Sequence, residues 1–121
     1  MEIINNIIQI VIAIGIFNVW ILRFNKPSDW RGSDAKNMKE EFASYGLSPI
    51  LMLVVGFFKL FFASLLIAGI WYPILTRPAA LGLAILMTGA VAMHLKVQDP
   101  IKKFLPSFVL LLLCLFVAYF S

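Results

Sequence analysis

Two ionisable side chains interrupt the long apolar runs of this sequence, Lys59 and His94. They are the whole stock of acid–base groups inside those runs. A charge near the centre of a bilayer costs at least about 2.5–3.5 kcal/mol, so such a residue is a functional hypothesis by default. Gly56 lies three residues before Lys59 and Ala63 four after it, so the three share one helical face. Small residues mark helix–helix contact in membranes, which turns Lys59 toward a bundle interior rather than toward lipid. Two roles fit it: a donor or cation for a ligand, or a lysine that snorkels or is neutralised by burial. His94 stands two residues before Lys96, near the end of its apolar run, and is either a ligand group or a hydrogen-bonded structural residue. Asn18 falls at a similar height in the first run, with Gln9 nearer its middle. Buried amides in membranes commonly bond across helices, so both also read as structural glue. Lys59, His94 and Asn18 are the ligand-binding candidates. A rise of about 1.5 Å per residue puts Lys59 roughly 9 Å deeper than His94, which leaves room for a water or a ligand group between them.

The missing chemistry is as informative. The sequence holds no Ser/His/Asp set, no paired intramembrane carboxylates, no phosphate loop and no haem-type His pair, so no residue is assigned a catalytic role. A metal is not indicated, because no second His or Cys stands at ligand spacing from His94. The one cysteine, Cys114, can form no internal disulfide and reads as a small apolar packer. Glu40 and Glu41 could dip inward toward Lys59, although a solvated helix face is the simpler reading.

The elements that must position these residues follow from hydropathy. Of 121 residues, 62% are hydrophobic and 13% charged, against about 45–50% and about 25% in soluble domains. Lipid must be the solvent for most of this surface. Four runs are long enough to cross a bilayer, at about 3–22, 49–71, 78–95 and 104–120, within a single membrane domain over 1–121. The expected fold is all-α: a four-helix transmembrane bundle with a short amphipathic helix in the first loop. That loop, residues 23–48, carries Met38, Phe42 and Tyr45 on one face, with Ser33 and Asp34 as a cap and Tyr45-Gly46 as its end. The helix is expected to lie at the membrane interface. Trp20, Trp71, Tyr72 and Tyr119 fall where headgroups should be, and Pro49, Pro78 and Pro106 fall in first turns. Gly56, Ala63, Gly82 and Gly89 are the helix-packing candidates, Gly82 and Gly89 sharing a stripe with Ala79 and Leu86. Ser107, Cys114 and Ala118 form a similar stripe on the fourth span.

Charge orients the chain. Arg23, Lys26, Arg31, Lys36 and Lys39 in the first loop, with Lys96, Lys102 and Lys103 in the third, face only Arg77 on the other side. Basic loops stay in the cytoplasm, so both termini are expected outside it, in a membrane of bacterial inner-membrane type. The net charge of +4 is thereby a feature of topology, not of nucleic-acid binding.

The stretch Phe42-Ala-Ser-Tyr-Gly-Leu-Ser-Pro49, then Gly56-Phe-Phe-Lys59 and Pro73, resembles the DoxX-like family. So does Arg77-Pro-Ala-Ala-Leu-Gly-Leu-Ala-Ile-Leu-Met-Thr-Gly-Ala90, followed by His94 and Asp99-Pro100. The resemblance implies a compact four-helix membrane bundle. It also implies membership of larger assemblies, since named members are linked to thiosulfate–quinone oxidoreduction and quinol oxidase complexes as subunits. Some animal relatives look like chaperones or cargo receptors. Three functional classes follow. The first is a non-catalytic accessory subunit or assembly factor, partnered by another membrane protein or by its own copies. The second is a quinone- or lipid-binding subunit of a redox complex that uses Lys59 and His94. The third is a small-solute transporter, which would need an oligomer to enclose a path.

Overall fold

The computed structural model describes residues 2–26, 31 and 35–121. Helix α1 covers Glu2–Phe17 and runs on into a π-helical turn, Asn18–Leu22. A short helix, α2, follows at Met38–Ser44. Three long helices complete the chain: α3 at Pro49–Ala68, α4 at Thr76–Lys96 with a 3₁₀ turn at Pro73–Leu75 before it, and α5 at Ile101–Phe120. The described residues contain no strand, so the all-α bundle read from the sequence is the fold. Around the bundle α1 packs beside α3, α3 beside α4, α4 beside α5, and α5 returns to α1.

Among the described residues four helices are long and apolar enough to cross a membrane, and the buried share of each lies between 17% and 33%. The remainder faces outward and includes Ile3, Phe57, Ile85 and Ile101. Such a surface is stable only in lipid, where the backbone polar groups are already satisfied within each helix. Lipid gives no hydrophobic drive between helices, so close packing must hold them together. The packing centres on Ile12, Ala63, Leu66, Ala79, Leu83, Cys114 and Val117. Gly56 and Gly82 let aromatic rings approach: a Cβ on Gly56 would stand 2.6 Å from Trp20, and one on Gly82 would stand 2.6 Å from Phe62.

Local signals set the helix ends. Ser48 accepts a hydrogen bond from Leu51 N at 3.2 Å, with Pro49 in the first turn of α3. Asn37, not Ser33 or Asp34, caps α2: its Oδ1 accepts from Glu40 N at 2.8 Å while Glu40 reaches back to Lys36 N. Ser33 and Asp34 lie outside the described residues. Gly46, at φ +79°, ends α2 in a Schellman turn in which Leu47 N bonds Phe42 O.

Four expectations are corrected. The second span ends at Ala68 rather than Trp71, because a turn precedes Pro73. The fourth span begins at Ile101, so Pro106 lies inside α5 and not in its first turn. Trp20 is not in an interfacial belt but buried against Gly56, whereas Trp71, Tyr72 and Tyr119 are exposed as expected. Helix α2 does not lay its apolar face on lipid: Met38, Phe42 and Tyr45 are buried against the bundle, with Phe42 edge-on to Trp20 at 5.8 Å.

Candidate functional site

Helix α2 roofs a cavity of about 400 Å³ at one end of the bundle. Its walls come from Ile16, Val55, Leu86, Met87, Met93 and Leu110. Its polar groups include Asn18, Arg31, Glu41, Tyr45, Lys59 and His94. Ligand pockets are commonly about 300–1,000 Å³ and largely apolar, with a few convergent polar groups. Asn18, Val19, Leu51, Ile85 and Gly89 border this cavity and are exposed on the bundle surface. An amphiphile could therefore enter from the hydrocarbon without crossing water.

Lys59 projects into this space from the middle of α3. It is 8% exposed, and its Nζ lies 5.3 Å from the centre of the Trp20 ring. That cation–π contact follows from the close approach of Trp20 to Gly56, one turn earlier on the same face. Among the described residues Nζ has no hydrogen-bond acceptor, although the Glu41 carboxylate acts on it electrostatically. Its ammonium donors thus face the cavity, unlike those of a satisfied structural lysine.

His94 sits on a different kind of support. Helix α4 ends in a Schellman turn: Asp99 N bonds His94 O at 3.0 Å and Gln98 N bonds Leu95 O at 3.1 Å, with Gln98 at φ 59°. The turn folds the Asp99 carboxylate back onto His94 Nδ1 at 2.8 Å, which makes Nδ1 the donor nitrogen. Nε2 is left facing Tyr45 Oη at 3.4 Å. Tyr45 Oη donates at 2.8 Å to Glu41, one helical turn earlier on α2. Glu41 is completed by Arg31 Nη1 at 3.2 Å. Arg31 is buried and also donates to Lys26 O at 2.9 Å, Phe24 O at 3.2 Å and Arg23 O, tying the end of the first span to α2. Burial, then the Glu41 carboxylate, hold the Tyr45 phenol well above its ordinary pKa, so it stays a neutral donor.

The sequence candidates meet only in part. Lys59, His94 and Asn18 all border one cavity, Asn18 from the exposed flank of the π-helical turn. Such turns are frequent at functional sites. Gln9 is not in this cavity; its Nε2 donates to Leu66 O at 2.8 Å, the cross-helix role expected of a buried amide. Gly56, Ala63 and Gly82 stand in packed contacts, but Gly89 does not: a Cβ there meets nothing within 4 Å, and the residue borders the cavity. Glu41 turns inward while Glu40 stays exposed at the α2 cap. Tyr45, Arg31, Trp20 and Asp99 were not singled out for the site by sequence. The four-residue spacing of Glu41 and Tyr45 was visible, yet nothing in it said which face met the bundle.

The lining contains Arg23, Arg31, Lys59 and Lys103 against Glu41, so positive charge dominates. Among the described residues no three His, Cys, Asp or Glu side chains gather as a metal site. The arrangement can hold a molecule with an apolar body and an electron-rich oxygen at its head. A family model described as the DoxX-like family matches residues 30–117. No curated protein and no solved structure matches the chain.

Proposed function

We propose that this chain, which belongs to the DoxX-like family, is an integral membrane protein that binds a small amphiphile bearing a carbonyl or anionic oxygen. A quinone is the chemical class that fits best. One observation carries the reading: the buried Lys59 ammonium has no described hydrogen-bond acceptor and faces an apolar cavity of about 400 Å³. Burying such a group without a partner is costly, and a ligand oxygen would supply the missing acceptor. The Glu41–Tyr45–His94–Asp99 set would shape the other side of the head group. In this reading the protein holds a ligand for a larger redox assembly and needs no catalytic set of its own.

Mild-detergent purification followed by solvent extraction and mass spectrometry tests it. A carbonyl-bearing amphiphile should leave with the wild type and be missing from Lys59→Met. A stoichiometric protein partner with no such ligand would replace this reading by an accessory or assembly role. We propose further that the α2 end is cytoplasmic and both termini are outside, on the strength of the basic loops. In a Cys114→Ser background, a cysteine at exposed Ile74 should label from outside intact cells, and one at exposed Lys39 should not. The opposite pattern would invert the orientation.

A further inference from the structure

The bundle end remote from α2 carries a second cavity, of about 180 Å³, whose polar border includes Asn5, Asn6, Gln9, Thr76 and Ser121. Its hydrogen bonds are one-sided. Asn5 is 6% exposed, and its Nδ2 donates to Phe120 O at 3.0 Å. Reversing that amide would set two oxygens against each other, so its orientation is fixed. Its Oδ1 is fully enclosed and has no partner. Gln9 likewise commits Nε2 to Leu66 O at 2.8 Å and to Thr76 Oγ1 at 3.5 Å, and its Oε1 accepts from none of the described residues. The Thr76 hydroxyl donates to Gly69 O at 3.2 Å. Three of the four amide N–H groups of Asn5 and Gln9 are used, while both amide oxygens remain. Buried acceptors without partners are rare, and each needs an explanation.

The occupant is therefore one that donates hydrogen bonds to these oxygens. Helix dipoles do not choose its charge, because α3 and α5 end here while α1 and α4 begin. Position does choose. Exposed Trp71, Tyr72 and Tyr119 lie at this end, at the height where aromatic side chains meet lipid headgroups. Arg77 stands at the rim: its Nε donates to Ala118 O at 3.0 Å and its Nη2 to the carbonyl of Ser121, which borders the cavity. We propose that this second cavity binds the primary ammonium of an aminophospholipid head group, with the adjoining phosphate on Arg77. The amide oxygens take N–H donors, and the guanidinium takes the anion. This site is independent of the one at Lys59.

The chemistry makes a sharp distinction, because a trimethylated choline head has no N–H to give. Wild-type protein in nanodiscs of equal phosphatidylethanolamine and phosphatidylcholine, examined by native mass spectrometry, should retain one ethanolamine lipid per chain. The preference should be about tenfold or more, as for hydrogen bonds from a charged donor. Asn5→Leu should erase the preference; Arg77→Gln should weaken it. Free ethanolamine added to choline-only nanodiscs identifies the source: raised thermal stability equal to that in ethanolamine lipid means a soluble amine fills the same site. Equal retention of both lipids by the wild type overturns the proposal, whether or not Asn5→Leu folds. So does an unchanged preference in a folded Asn5→Leu, or a water alone on Asn5 Oδ1 in a high-resolution structure in ethanolamine lipid.

Discussion

Replacing Lys59 by methionine should stabilise the protein and at the same time empty its cavity. Lys59 is the eleventh residue of the 20-residue α3, about 15 Å from either end at 1.5 Å per residue. A charge at that depth costs about 2.5–3.5 kcal/mol. The Trp20 ring at 5.3 Å returns about 0.5–2 kcal/mol. The attraction of Glu41 returns some of the remainder. Methionine keeps the length and flexibility of the stem, so the packing on Gly56 and Ala63 survives. A net stabilisation of about 1 kcal/mol follows from the difference of these terms. Thermal unfolding in detergent reads the stability, and extraction with mass spectrometry reads the ligand. Lys59→Arg keeps the charge but replaces a compact ammonium by a planar fork, so part of the ligand should remain. Two results would refute the reasoning. If Lys59→Met melts earlier than the wild type, the lysine is a strut and its cost is already met within the protein. If the Met variant keeps its ligand, the ammonium is not the donor that holds it.

Three further outcomes follow. Gly56→Ala should lose about 1–3 kcal/mol in a thermal melt because its Cβ would stand 2.6 Å from the Trp20 ring, whereas Gly89→Ala, which meets nothing within 4 Å, should lose no packing and at most narrow the cavity. Gln98→Gly should gain about 1 kcal/mol in the same assay, since Gln98 holds φ 59° in a left-handed position that suits glycine; a loss would mean that the Gln98 side chain has a task. Tyr45→Phe removes a phenol whose pKa is raised by burial and then by Glu41. With the folded pKa above the ordinary value of about 10, the folded state keeps a proton that the unfolded chain releases, so Tyr45 contributes stability that falls as pH rises past about 10. The difference in melting temperature between wild type and Tyr45→Phe should therefore shrink above that pH, and a constant difference would contradict the buried-phenol assignment.

The bundle was legible in the sequence because its signals are one-dimensional. Run length gives spans, small residues at helical spacing give contacts, and Lys59 with Gly56 and Ala63 on one face gives an interior lysine, which is where it lies. The site was legible only at its centre. Asn18, Lys59 and His94 were readable as polar residues in apolar text, but their companions come from the polar loop, where polarity is no signal. Arg31 looks like one more basic loop residue, yet it is buried with Glu41 and three backbone carbonyls. Trp20 has the composition of an interfacial anchor, and only the three-dimensional register of α1 against Gly56 sends it inward. The failure at Gly89 has a cause of the same kind. A helical stripe says which residues share a face, not whether a neighbour reaches that face.

That last point explains why the bundle is open at the α2 end. Farther along α1, Gly15 approaches Leu110 of α5, and a Cβ there would stand 3.7 Å from it, so the two helices are in contact. Immediately beyond, α1 changes from α- to π-helical winding at Asn18, and at the same end α5 carries Pro106 within its second turn. Proline has no N–H to return to the carbonyl four residues earlier, and its ring crowds that carbonyl. A π-helical turn widens the helix and rotates the residues that follow it. Both features therefore fall on α1 and α5, two of the four long helices that line the cavity, while α3 and α4 stay α-helical beside them. With no bulky residue at Gly89 to fill it, the gap persists, and α2 covers it with Phe42 and Tyr45. A bundle built only for stability would fill that volume with side chains. Here it stays open beside a buried lysine that has no acceptor among the described residues, the arrangement on which the proposed ligand reading rests.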